Sequence, residues 1–297
     1  MDRHIVGGRL GTVLDLFCGG GGAGKGYHDA GFNVIGIDSV NHENSYGTVG
    51  EFYQVDWEDG LRKYAGSADF IHASPPCQAY SQLTRWGRKE NISEHPDFIG
   101  PLRRVLESAG KPYVIENVVG APLNNAIMLC GWTFGYSHYR HRLFEGGGGI
   151  VFAEPPHRRH EISGRNPGHK MCGKFHSVCG HMDSVSLARE VMDINWLPGE
   201  TLAEAIPPYY SFYLALQVHD YLGTIIGIDP LEYVRVMQLK PPGPESRQCV
   251  WGRPVYLKRL ESPDKGGEKW REECVADWTP CKNCPLTKKE DNDGYRI

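Results

Sequence analysis

Cys77 stands in the run Ser74-Pro75-Pro76-Cys77-Gln78, directly after a stretch that reads as a strand. The prolines fix φ and stiffen the approach to the thiol. A thiolate is the reactive form of a group whose ordinary pKa is about 8.5, and a loop of this shape suits a nucleophile. Glu116, in Tyr113–Val118 (YVIENV), ends another strand candidate and can lie near the same edge. A carboxyl whose pKa is raised by burial can give a proton to a ring nitrogen. Arg140 and Arg142, in YRHRLFE, sit two apart on an extended stretch and so share one face. There they could clamp a carbonyl oxygen or a phosphate. Taken singly, these residues read as well as an inert buried thiol, a capping carboxylate and surface arginines. Their occurrence together is what points to chemistry.

A second group precedes them. The apolar run Val13–Phe17 leads through Cys18 into Gly19-Gly20-Gly21-Gly22 and then a helix-like stretch to Ala30. Glycines permit positive φ and let a nucleoside approach the backbone closely. The pattern is neither G-x-G-x-x-G in the dinucleotide sense nor a GK[ST] phosphate loop, so NAD and ATP readings lose ground. Asp38 and Asp56 close the next two strand candidates. The first could accept hydrogen bonds from ribose hydroxyls and the second from an adenine amino group; both also read as turn residues or helix N-caps.

The elements that must position these residues are Asn33–Asp38, Phe52–Asp56, Ala68–Ser74 and Tyr113–Val118 as strands, with a helical pattern over Asp97–Ala109. Alternating strands and helices predict βαβ units and a parallel sheet covered on both faces. Ligands of such sheets bind outside the carboxyl ends of the strands. From Gly146 the chain becomes rich in His, Arg, Gly and Pro, which predicts loops and a small irregular subdomain. Helical pattern resumes at Leu187–Met192 and Tyr209–Leu222, and beyond Pro241-Pro242-Gly243-Pro244 a polar tail holds four of the nine cysteines.

Composition sets the outer bounds. The 297 residues include 32 Lys plus Arg against 36 Asp plus Glu, with 40% hydrophobic residues. This excludes a disordered, collagen-like or coiled-coil chain. No run approaches the ~20 apolar residues of a membrane span, and the amino terminus lacks an h-region and a cleavage site. The expectation is a cytoplasmic protein with reduced thiols and no membrane partner. A net charge of −4 argues against bulk attraction to nucleic acid but leaves room for a local basic groove.

The ordered motifs FCGGGG, Asp38, Asp56, PPCQ, ENV, RHRLF and a late EAIPPYY closely resemble the DNA (cytosine-5) methyltransferase family over roughly residues 11–222. The resemblance implies an S-adenosylmethionine-dependent, Rossmann-like α/β sheet with helices on both faces. It implies that Phe17, Gly19 and Gly21 line the S-adenosylmethionine pocket, with Pro75 and Glu204 also at the cofactor. Asp38 would bind ribose and Asp56 adenine. Cys77 would be the nucleophile, Glu116 the carboxylate facing the base, and Arg140 and Arg142 the supports of a flipped cytosine. Pro207 and Pro208 match the late motif that closes the pocket. The implied substrate is double-stranded DNA. The organisation expected is a catalytic core over 1–145, a target-recognition region over 146–188, a return to the core over 189–223 and an extension over 224–297.

Some residues depart from the family pattern. His138 replaces a usual glutamine, Glu204 a frequent asparagine, and Lys25 an expected apolar residue. Lys25 reads as a solvated helix face or, more sharply, as a cation for an anionic cofactor derivative carrying a larger alkyl group. The recognition segment is short and carries Arg158, Arg159, Arg165, Lys170 and Lys174, as a phosphate-contacting patch would. So small a reader suits a solitary or viral modification enzyme with a short target, in a bacterial cell or an infected bacterial host. His169, Cys172, His176, Cys179 and His181 match no common zinc spacing and read as loop residues. In the tail, Cys281-Lys282-Asn283-Cys284 forms a C-x-x-C knuckle. With Cys274 and Cys249 it predicts a closed, structural four-thiolate zinc site. Three rival readings stay open: action on RNA, transfer of another alkyl group, and a catalytically dead nucleic-acid-binding module.

Overall fold

The computed structural model describes residues 11–80, 96–136, 138–157, 178, 184–224, 229–232 and 234, together with the backbone of 255–260 and 269–274. Its central strand is β1 (Thr12–Leu16), buried at every position. β2 (Asn33–Asp38) and β4 (Phe70–Ala73) pair with it in parallel on either side. β3 (Glu51–Gln54) adds outside β2, and β5 (Tyr113–Val118) outside β4, both parallel. Period-two alternation divides the core between the two faces. Val13 and its partner Phe70 point into one cluster, with Tyr27, Val114 and Tyr213. Leu14 and its partner Ile71 point into the other, with Leu61, Leu102 and Ile115.

The sheet has seven strands in the order β3-β2-β1-β4-β5-β7-β6. The parallel expectation needs correcting at one edge. β6 (Ile127–Leu129) and β7 (Arg142–Gly147) pair antiparallel with each other, and β7 is antiparallel to β5. The link between β6 and β7 is short and includes a 3-10 turn at Gly131–Phe134. A short link can join antiparallel strands, whereas parallel neighbours need a long crossover. β7 also continues to Gly147, past the expected boundary at residue 145. Arg103 fastens this edge from below, donating through Nε and Nη2 to the two oxygens of buried Glu145 at 2.6 and 2.7 Å.

The helices include α1 (Gly22–Asp29), α2 (Glu43–Tyr46), α3 (Trp57–Tyr64), α4 (Ile99–Ala109), α5 (Val185–Met192), α6 (Gly199–Leu202) and α7 (Pro208–Leu222). α7 returns the chain to the sheet and packs along α1. A Cβ added at Gly26 would lie 2.1 Å from the Pro208 carbonyl oxygen, so only glycine allows this approach. No helix among the described residues is long and apolar enough to cross a membrane.

In the tail, β8 (Val255–Leu260) and β9 (Lys269–Cys274) form a separate antiparallel pair. Of the four expected zinc ligands, Cys274 ends β9, while Cys249, Cys281 and Cys284 lie outside the described residues. The recognition-segment residues Arg158, Arg159, Arg165, Lys170 and Lys174, and the nearby His169, Cys172, His176, Cys179 and His181, also lie outside them.

Candidate active site

Strand order reverses between β1 and β4, so the carboxyl ends of these strands open a crevice. The chain leaves β1 through left-handed residues: Phe17 has φ 58°, Gly19 50° and Gly21 86°. A side chain strains at such φ values, which makes Phe17 the costly member of the turn. A Cβ added at Gly19 would meet nothing within 4 Å, so the turn faces open space. Asp38, at the end of β2, holds the turn in place. Its Oδ2 accepts from the Gly19 amide and its Oδ1 from the Val40 amide, both at 2.9 Å. Each oxygen keeps a second acceptor position.

Asp56 is the N-cap of α3, accepting from the Glu58 amide at 2.8 Å. The Phe17 ring lies 5.7 Å from Trp57 and 6.2 Å from Phe98, forming an aromatic wall beside the turn. From the far side, the Trp196 indole donates to the Gly20 carbonyl at 3.0 Å, so the segment around Trp196 closes onto the turn. Glu204 is exposed in the bend after α6. Lys25 is ion-paired with Asp29 one helical turn away, which accounts for it as a helix-surface residue.

Cys77 follows β4, and Glu116 lies within the adjacent strand β5. The Asn117 amide donates to the Pro75 carbonyl at 2.9 Å in a buried bond. Burial pushes the Cys77 thiol up; Arg142 pulls it down, Glu116 pushes it up and Arg140 pulls it down, so all three charges act at the thiol. Glu116 is 4% exposed, and burial raises its pKa against the opposing influence of Arg142 and a hydrogen bond from Ser74. Arg142 Nε stands 3.1 Å from Glu116 Oε1, close enough for an ion pair but off the hydrogen-bond line. Among the described residues, Glu116 Oε1, Asp15 Oδ1 and Arg140 Nε are buried without a hydrogen-bond partner.

A polar chain runs from the core to Ser74, at the carboxyl end of β4. Tyr27 Oη lies 3.0 Å from His72 Nδ1, and His72 Nε2 lies 2.9 Å from Ser74 Oγ. Burial lowers the His72 pKa to about 3, so the ring is neutral. A neutral ring has one donor and one acceptor. Whichever nitrogen carries the proton, the neutral ring links the Tyr27 and Ser74 hydroxyls.

Arg142 sits where the extended-stretch expectation puts it, but Arg140 does not. Its backbone has φ 32°, which breaks the alternation that would have placed both arginines on one face. Half-buried Arg140 donates through Nη1 to the Val178 carbonyl and through Nη2 to the Ala203 and Ala205 carbonyls, the last two at 2.7 Å. Burial draws its pKa down to about 9. Its guanidinium fastens the return segment around Glu204 to the strand edge. His138 is fully buried, with Tyr209 Oη 3.0 Å from its Nε2, so it too serves packing.

Sequence reasoning missed Tyr27, His72, Ser74 and the tether role of Asn117. His72 carried the visible signal: a histidine inside the apolar strand FIHA needs a buried partner. The partners themselves left no local trace.

Residues 11–126 match the family model for C-5 cytosine-specific DNA methylases. That stretch contains Phe17, Gly19, Asp38, Asp56, Cys77 and Glu116, and ends before the arginines. The Type II methyltransferase M.AgeI of Thalassovita gelatinovora is 29% identical over 121 residues, covering 36% of this chain and 28% of that protein. The match thus spans under a third of the relative. Among solved structures, the methyltransferase EhMeth of Entamoeba histolytica superposes with a TM-score of 0.48 at 11% identity, covering 72% of this chain and 99% of that one. A DNMT2 variant of Spodoptera frugiperda gives 0.38 at 12% identity, covering 77% and 95%.

Proposed function

We propose that this chain, whose residues 11–126 match the family model for C-5 cytosine-specific DNA methylases, methylates carbon 5 of cytosine in double-stranded DNA through a covalent adduct with Cys77. The observation that carries the reading is the buried Oε1 of Glu116, which lacks a hydrogen-bond partner among the described residues and stands beside Arg142 at a cysteine-bearing strand edge. A buried, unsatisfied carboxyl oxygen is costly unless a ligand completes it. The protonated ring nitrogen 3 and exocyclic amine of a cytosine would do so.

The residues at the β1 turn fit S-adenosylmethionine. Asp38 and Asp56 keep acceptor capacity for ribose and adenine, Phe17 offers a ring face, and the open side of Gly19 leaves room for the nucleoside. When bound, that cofactor supplies an electrophilic methyl group. The protein's own part begins with Cys77, whose thiolate adds to carbon 6 of the ring. Glu116 holds a proton at ring nitrogen 3, and the added electron density makes carbon 5 nucleophilic. After carbon 5 is alkylated, loss of its proton and departure of the Cys77 sulfur restore the aromatic base. Arg142 stabilises the thiolate and orients Glu116. The target carbons are shielded inside a duplex, so the base must be flipped out, at a cost of a few kcal/mol.

Mass spectrometry of nucleosides from DNA and RNA co-expressed with the protein tests this. The expected product is 5-methylcytosine in DNA. The same product confined to RNA, a larger substituent on carbon 5, or unmodified nucleic acid would each replace the proposal with one of its rivals. The Lys25–Asp29 pair supports reading Lys25 as a helix-surface residue.

A further inference from the structure

Outside the crevice, three metal-ligating side chains meet at the strand edge. Leu129 of β6 pairs with Arg142 of β7, which sets Cys130 and His141, the residues next along each chain, beside one another. His157 approaches from where the chain leaves the sheet toward the recognition segment. One ligand atom from each of Cys130, His141 and His157 lies within 4.8 Å of the others. The two imidazole Nε2 atoms are 3.2 Å apart, with ring planes inclined at 56°.

We propose that Cys130, His141 and His157 bind a transition-metal ion of the zinc class, at a site separate from both the catalytic crevice and the tail cysteines. Two zinc–nitrogen bonds of about 2.0–2.1 Å in a tetrahedron place their nitrogens about 3.3 Å apart, which is the spacing of these two rings. A thiolate with two imidazoles suits zinc-class ions and disfavours magnesium or calcium, which take oxygen ligands. Cys130 is buried while His157 is exposed, so the ion has a path from solvent and the third ligand can turn inward to close the remaining distance. Three protein ligands leave a fourth position for water. The ion would pin His141, which lies between Arg140 and Arg142, to the adjacent strand and to the base of the recognition segment.

Cobalt(II) is the probe, added to the full-length protein after chelator treatment. A Cys281→Ser/Cys284→Ser background silences the C-x-x-C knuckle. The expected result is one tightly bound Co(II) with tetrahedral d–d bands and a sulfur-to-cobalt charge-transfer band. Cys130→Ser should abolish the charge-transfer band. His157→Ala, an exposed change that leaves the core intact, should weaken binding at least about tenfold. Zinc should raise the melting temperature of the background protein and not that of His157→Ala. Absence of binding, or binding unchanged by both substitutions, would overturn the site.

Discussion

The Asn117 side-chain amide donates to the Pro75 carbonyl at 2.9 Å, and the bond is buried. It ties the end of β5 to the loop that carries Cys77, so the strand bearing Glu116 and the loop bearing the thiol cannot drift apart. Asn117→Ala leaves the Pro75 carbonyl buried and unpaired, at a cost of about 1–3 kcal/mol. Loosening that register should also lower the single-turnover rate by roughly 10²-fold. Cofactor affinity should fall less than the rate, because the Asp38 and Asp56 side chains are held by other bonds. Denaturant titration and rapid-quench kinetics read the two effects separately.

Cys77→Ala should abolish transfer while leaving cofactor and DNA affinity largely intact, because the thiolate is needed only for covalent activation. Duplex DNA containing 5-fluorocytosine should form an adduct with the parent protein that survives denaturing electrophoresis. Fluorine at carbon 5 prevents the proton loss that precedes release. Residual transfer by Cys77→Ala would end the covalent assignment.

Arg140 acts as a latch on three carbonyls of Val178, Ala203 and Ala205. Arg140→Ala should destabilise the fold by about 3 kcal/mol, since it removes three charge-assisted bonds at a part-buried site. Arg142→Ala should instead spare stability more and depress the rate more, because Arg142 faces Glu116 and the Cys77 thiol. A reversed ranking in calorimetry and kinetics would restore Arg140 to the substrate.

Neighbouring positions on α1 should behave oppositely. Gly26→Ala forces a methyl group into the Pro208 carbonyl, and the backbone of α7 must move. Its expected cost is about 1–3 kcal/mol. Lys25→Met removes only a surface ion pair with Asp29 and should change stability by less than about 0.5 kcal/mol, with no change in product. Thermal melts and product analysis of the two variants, side by side, check the contrast.

Asp15 predicts a pH dependence. Burial raises its pKa from 3.8 to about 7, with Tyr46 donating to one oxygen at 3.1 Å. The folded state therefore holds this proton where the unfolded chain has released it. Asp15's favourable contribution is fully present below pH 3.8 and is lost as pH rises toward 7. Asp15→Asn keeps an acceptor for Tyr46 but cannot ionise. The stability difference, parent minus variant, should fall by a few kcal/mol across that interval and be flat above it. Parallel pH curves for the two proteins would refute the shift.

The limits of sequence legibility show in particular residues. Asn33–Asp38 and Tyr113–Val118 match β2 and β5 residue for residue, because apolar runs closed by a polar residue are strong local signals. The β6–β7 pair was invisible as antiparallel, since the direction of a strand is set by its neighbour and not by its own pattern. The cysteines of the tail could be counted, but counting does not tell which ones meet.

What the sequence determined by itself was which groups arrive at one edge. In a doubly wound sheet every βα turn falls at the same end, so Phe17–Gly22, Asp38, Asp56, Cys77 and Glu116 converge once strand–helix alternation is recognised. What only the tertiary structure decided was what each group does there. Arg140 and Arg142 are two residues apart and chemically identical. One left-handed φ sends the first into three backbone carbonyls and leaves the second beside Glu116. A side chain's role depends on its partners, and Val178, Ala203, His72 and Tyr27 come from segments distant along the chain, where local residue pattern carries no record of contact.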